Sequence, residues 1–146
     1  MKSLKAIYQR QNFFPGWLGV FVNPFYFARS GLRDAMSKFA PKLSGRLLDV
    51  GCGSKPYQAL FAVDAYVGLD IDSEASRKRG IADHHYDGNT FPFADASFDT
   101  VLCNQVLEHV FNPDEFLSEI LRVLKPGGKL LLTVPFVWDE HEQPYD

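Results

Sequence analysis

The stretch Arg46-Leu-Leu-Asp-Val-Gly-Cys-Gly-Ser-Lys-Pro-Tyr57 decides the fold. An apolar run ends in an acid and two glycines, and the chain must then turn sharply. Leu47, Leu48 and Val50 suit a buried strand, with Asp49 near its carboxyl end. Gly51 and Gly53 let the backbone turn where a side chain would clash, so that a ligand can approach the main chain. A strand and turn of this kind open the binding loop of an open α/β sheet, at the carboxyl edge where such folds hold ligands.

The same punctuation continues on both sides. Upstream, Asn23-Pro24 forms a cap and first turn for a helix over residues 24–40, with Phe27, Leu32, Ala35, Met36 and Phe39 near one stripe. Pro41 and Gly45 end it. Downstream, the pattern predicts a short helix over 55–62, a strand over 65–70 that again ends in an acid, and a helix from a Ser73 cap to Arg79. A weaker strand over 82–86 and a fourth over 98–103 follow. Asn112-Pro113 opens an amphipathic helix to Lys125, with Phe116, Leu117, Ile120, Leu121 and Leu124 inward. Pro126-Gly127-Gly128 is read as a turn before a fifth strand over 129–134. Strands alternating with helices predict a Rossmann-like, open, mostly parallel sheet with helices on both faces. The expected domains are an aromatic N-terminal segment and helix, 1–45, and a ligand-binding domain, 46–146.

Composition narrows the class. The chain has 146 residues, 46% apolar and 23% charged, with a net charge of -3. This is the balance of a soluble domain, with no general attraction to nucleic acid. Cys52 and Cys103 fit neither a zinc spacing nor a disulfide framework, so a reducing cytoplasm is the expected setting. Pro15, Gly16, Asn23 and Pro24 interrupt the aromatic run from Phe13 to Phe27, which excludes a membrane span. That run is read as a segment folded over the domain or its ligand, with weak interfacial association with a membrane as the sharper alternative.

The glycines and acids then select a ligand. A P-loop needs a Gly-Lys-Ser/Thr ending, which is absent. The dinucleotide fingerprint needs a third glycine where Pro56 stands. Asp49 is a poor neighbour for a pyrophosphate and a good one for an ammonium, and Asp70 stands where such folds place an acceptor for ribose hydroxyls. A ligand with a ribose and an ammonium, and without phosphates, is S-adenosylmethionine. The less favoured alternative, an NAD-linked oxidoreductase, lacks its third glycine and an evident hydride-transfer site.

Leu47-Leu-Asp-Val-Gly-Cys-Gly53 resembles the first motif of the class I S-adenosylmethionine-dependent methyltransferases. The resemblance extends through Val67-Gly-Leu-Asp-Ile-Asp72, Phe91-Pro-Phe-Ala-Asp-Ala-Ser-Phe-Asp99, Val106-Leu-Glu-His-Val110 and Leu124-Lys-Pro-Gly-Gly-Lys129, most like the group called methyltransferase type 11. It implies methyl transfer, with a small-molecule acceptor expected. It further implies that Asp49, Gly51, Cys52 and Gly53 hold the methionine part, Asp70 the ribose and Ile71 the adenine face. Asp87 with Gly88 would read the adenine amino group, and Asn104 and Gln105 would line the methionine end. Lys55 departs from the family, which often has a third glycine there.

Simpler roles stand beside these. Either acid alone could cap a helix, and Asp87-Gly88 is also an ordinary turn. His109 is the candidate catalytic base, although a histidine packed to shape its loop is the favoured reading. His84 and His85 are adjacent on a strand and face opposite ways, and no metal-ligand spacing is present, so no metal is expected. His141 and the tail from Trp138 are candidate acceptor contacts. The family usually continues past the fifth strand with a helix and a strand pair, which are lacking here. That leaves a second reading, a truncated or partner-completed cofactor-binding domain without turnover, with homo-oligomer formation through the exposed sheet edge as one form of it.

Overall fold

A computed structural model describes residues 13–16, 20 and 25–135. The expected Asn23-Pro24 cap, most of the aromatics before it, and the tail with Trp138 and His141 lie outside the described residues. The chain divides into two compact units, Met1–Lys42 with Pro56–Ala62 and Leu43–Lys55 with Val63–Asp146.

In the first unit, helix α1 spans Tyr26–Phe39 and runs into a 3-10 turn, Ala40–Lys42. Met36 is its fully buried residue, whereas Phe27 is 83% exposed. Nine residues at 100° each put Phe27 on the side opposite Met36, so it does not join the expected inward stripe. The Phe13 and Phe14 rings meet Tyr57 edge-on at 6.3 and 5.5 Å, and Arg29 stacks over Phe13. The helix expected over 55–62 is only a 3-10 turn, Gln58–Leu60, because no side chain caps its start and Phe61 is already extended.

The second unit is a five-stranded sheet in the order β3-β2-β1-β4-β5, parallel throughout. Its strands are β1 (Arg46–Val50), β2 (Ala65–Ile71), β3 (His84–Tyr86), β4 (Phe98–Asn104) and β5 (Leu124–Thr133). Helix α2 (Glu74–Arg79) joins β2 to β3, and α3 (Pro113–Val123) lies between β4 and β5. The expected Ser73 cap is present, its hydroxyl accepting the Ser76 N–H at 3.1 Å.

One sheet face carries Leu48, Val50, Leu69, Val101 and Cys103, packed with Phe91, Phe98 and the α3 residues Phe116, Ile120 and Val123. The helix α2 reaches the opposite face through Ser76. Leu121 was expected inward but is 72% exposed. The buried side of α3 is centred on Phe116, Ile120 and Val123, and Leu121 is turned about 140° from Phe116 around the helix axis. A second correction concerns Pro126-Gly127-Gly128. These residues are an irregular insertion inside β5, between the pairs Phe98↔Leu124 and Thr100↔Lys129, with Gly127 at φ +78°. The strand therefore starts directly from α3 at Leu124.

The strand order reverses between β1 and β4, the first two strands to pair with opposite neighbours. In open parallel sheets the crevice at the carboxyl ends of such strands is the binding position. The glycine turn lies there.

Candidate cofactor-binding site

The turn after β1 is tied to β2 by its own backbone. The N–H groups of Gly51 and Cys52 both donate to the Leu69 carbonyl, at 2.8 and 3.0 Å, and Lys55 N–H closes the turn on the Cys52 carbonyl at 2.7 Å. Gly51 sits at φ +70° and Gly53 at φ +50°. A Cβ on Gly51 would collide with the Val106 side chain, whereas one on Gly53 would meet open space. Gly51 is therefore fixed by crowding and conformation together, Gly53 by conformation alone.

The parallel register brings the two acids together. Asp49 stands opposite Gly68 on β2, so Asp70, two residues further, lies on the same face. Asp49 is 4% exposed and Asp70 6%. Burial lifts the Asp49 carboxyl to about 7, partly countered by the Tyr66 hydroxyl, which donates to Oδ2 at 2.6 Å, and by the Lys55 charge; Asp70 pushes it up further. A carboxyl held this high is a desolvated acid short of positive charge, which suits an incoming cation. Tyr66 itself is driven well above its ordinary range by burial and by Asp49, so it remains a donor.

Asp70 is engaged from α2. Its Oδ2 accepts the Ser76 hydroxyl at 2.8 Å and Arg79 Nη2 at 2.9 Å, and its Oδ1 accepts the Ile71 N–H at 3.0 Å. Ile71 is 41% exposed and lies against Gly88: a Cβ built there would stand 3.4 Å from Ile71 Cδ1. Asp87 closes a tight turn, accepting the N–H groups of Asn89 and Thr90 at 2.9 and 3.3 Å, which holds its carboxyl below the ordinary range. Asp49, Asp70, Gly51 and Gly53 thus gather at the ends of β1 and β2, with Ile71 and Gly88 adjoining.

Asn104 and Gln105 are both held by Thr133 of β5. Thr133 Oγ1 donates to Asn104 Oδ1 at 2.7 Å and receives Gln105 Nε2 at 3.3 Å, while Gln105 takes φ +56° with its N–H on the Thr133 carbonyl. His109 closes a 3-10 turn, Leu107–His109, with its N–H on Val106. Cys52 and Cys103 are buried free thiols, each lifted to about 12 chiefly by burial. Sequence reasoning missed Tyr66 and Val106. The available signal for Tyr66 was its alternation on β2: it shares a face with Gly68 and Asp70. Among the described residues, no cluster of three or more His, Cys, Asp or Glu side chains is placed to hold a metal, and no helix is long and apolar enough to cross a membrane.

A family model described as a methyltransferase domain matches residues 48–132. An uncharacterized protein of Methanocaldococcus jannaschii is 36% identical over 104 residues, covering 69% of this chain and 49% of its own length. A probable S-adenosylmethionine-dependent methyltransferase of Mycolicibacterium smegmatis is 35% identical over 107 residues, covering 67% and 41%. Among solved structures, the [4+2]-cyclase SpnF superposes with a TM-score of 0.55 at 33% identity, covering 72% of this chain and 44% of that one. The chain belongs to the methyltransferase domain family, in the type 11 group of the class I fold. It spans about half the length of the Methanocaldococcus jannaschii relative. The cyclase shows that chains on this fold are also named for other chemistry, so function follows from the site and not from the fold.

Proposed function

We propose that this domain binds S-adenosylmethionine at the carboxyl ends of β1 and β2 and directs its methyl group to a small-molecule acceptor. The observation that carries the reading is the pair of buried carboxylates, Asp49 and Asp70, on one sheet face beside the Gly51–Gly53 turn. The donor set fits the cofactor. Asp49, lifted to about 7 by burial, gains from an ammonium brought beside it. The open space where Gly53 lacks a Cβ lets the methionine part approach the backbone of Gly51, Cys52 and Gly53. Asp70 receives the ribose hydroxyls, Ile71 and Gly88 flank the adenine, and Asp87 faces its amino group. Asn104 and Gln105, held by Thr133, border the methionine end.

When bound, the cofactor supplies an activated methyl group on a sulfonium whose departing thioether is neutral. The residues of this chain then have modest work: to orient the acceptor in line with that methyl and to exclude water. His109, on the turn after β4, is the candidate to take a proton from an acceptor hydroxyl or amine. The two buried, protonated thiols support a reducing compartment such as the cytoplasm. Isothermal titration tests the reading: saturable binding of S-adenosylmethionine is expected, and binding of NAD in its place overturns it.

A second reading is cofactor binding without turnover, with a further strand or partner completing the sheet. It is favoured by β5, an edge strand among the described residues, with Leu130 40% exposed and Val134, just after it, 51% exposed. Size-exclusion chromatography separates the two: a monomer with full cofactor affinity and turnover excludes it.

A further inference from the structure

Lys55 departs from the family's third glycine, yet it keeps a glycine's backbone. It sits at φ +50°, a left-handed conformation that disfavours a side chain by about 1 kcal/mol. Its N–H still closes the turn on Cys52. Something must hold a lysine in that conformation, and the side chain shows what does. It is only 10% exposed and lies across β2 at Gly68, where a built Cβ would collide with Lys55 Cε and come within 2.8 Å of Cys52 Sγ. Its ammonium ends on Asp83 Oδ2 at 2.6 Å. The same carboxylate oxygen accepts the Gly68 N–H at 2.7 Å, and the Asp83 N–H returns to the Gly68 carbonyl at 2.9 Å. Although burial pushes the Asp83 carboxyl upward, Lys55 and the Gly68 N–H hold it below the ordinary range.

We propose that Lys55 is a positioning residue for the cofactor: a strut that locks the glycine turn to β2 and to the entry of β3 through Gly68 and Asp83, and brings a positive charge over Gly68, the β2 residue paired with Asp49. The inference rests on the reading that this turn binds S-adenosylmethionine. The charge matters because the other groups acting on Asp49 do not supply one. Tyr66, from β2, donates a neutral hydrogen bond, and Asp70, at the end of β2, is an acid. Cys52 in the turn and Cys103 on β4 are thiols lifted to about 12. Lys55 opposes the burial that keeps Asp49 protonated, and so extends towards neutral pH the range in which Asp49 meets an ammonium as a carboxylate.

The test is titration of the whole chain with S-adenosylhomocysteine across about pH 5.5 to 9, for wild type, Lys55→Met and Asp83→Asn, with thermal melts at each pH. Lys55→Met should move the acid-side midpoint of binding upward by roughly half a pH unit or more. Asp83→Asn keeps the lysine charge but breaks the strut. It should weaken binding about fivefold or more at every pH without an upward shift of the midpoint. A merely structural lysine would change the melts and leave the midpoint in place. Wild-type affinity and midpoint in folded Lys55→Met overturn the inference alone, whereas a wild-type chain that does not bind overturns the cofactor reading beneath it. Should Lys55→Met fail to fold, Asp83→Asn decides: unchanged affinity at every pH overturns the strut, and the uniform loss supports it.

Discussion

Replacing Asp49 by Asn separates what the carboxylate costs the fold from what it gives the site. Asp49 is 4% exposed, and its carboxyl is lifted from 3.8 to about 7, mainly by burial. In the unfolded chain this group releases its proton near pH 4, and in the folded chain only near pH 7. Between those values the folded state binds the extra proton, so stability declines as pH rises from about 4 to about 7 and stays at the lower level above that. At 1.36 kcal/mol per pH unit the interval corresponds to an upper figure on the order of 4 kcal/mol. An asparagine retains an oxygen for the Tyr66 hydroxyl at nearly the same position but never ionises. Asp49→Asn should therefore be more stable than wild type in urea unfolding at pH 8, by about 1 to 4 kcal/mol, with the difference reduced to about 1 kcal/mol or less near pH 4.5. Its affinity for S-adenosylhomocysteine should fall about 100-fold or more, since the ammonium loses a buried charged partner. A variant less stable than wild type at pH 8, or one whose advantage is the same at both pH values, would mean that ionising the buried Asp49 does not cost the fold.

Gly51→Ala combines a strained φ with a collision against Val106, and should cost about 2 to 4 kcal/mol of stability together with most cofactor affinity. Gly53→Ala has open space and only the conformational cost, so about 1 kcal/mol is expected in the same urea titration; equal losses would show that crowding at Val106 is irrelevant. Gly68→Ala should displace the Lys55 and Cys52 side chains and weaken S-adenosylhomocysteine binding about tenfold by calorimetry, with wild-type affinity counting against the packing argument. Arg122 joins α3 to the loop over residues 91–95: its guanidinium reaches the carbonyls of Phe91 and Phe93 and the carboxylates of Asp95 and Glu119, while Glu119 accepts the Phe91 N–H. Arg122→Met should destabilise the fold by about 2 kcal/mol in urea, and a loss below about 0.5 kcal/mol would mean that the loop holds itself.

Much of the second unit was legible because its signals are local. Apolar runs carrying Asp49 and Asp70 near their carboxyl ends mark strands, and the parallel register that sets Asp49 opposite Gly68 puts the two acids on one face. The Ser73 cap is equally local, a hydroxyl three residues before the N–H that it accepts. What escaped the sequence depends on partners distant along the chain. Tyr66 reaches Asp49 across the β1–β2 register, and Lys55 reaches Asp83 only because Gly68 leaves room. Asn104 and Gln105 answer to Thr133, nearly thirty residues on. The helical faces of Phe27 and Leu121 were misread where an apolar residue sits off the buried stripe, since an exposed apolar side chain carries little penalty. The Pro126-Gly127-Gly128 turn signal was sound locally, but β5 continues through it by absorbing the extra residues as an irregularity.

The most direct measurement is an amide-resolved NMR titration of the isotope-labelled chain with S-adenosylhomocysteine at pH 8. Saturable shifts are expected at Gly51, Cys52, Gly53, Asp70, Ile71 and Gly88, all abolished together in Asp70→Asn. Absence of saturable shifts, or saturable shifts confined to residues away from the ends of β1 and β2, would contradict it.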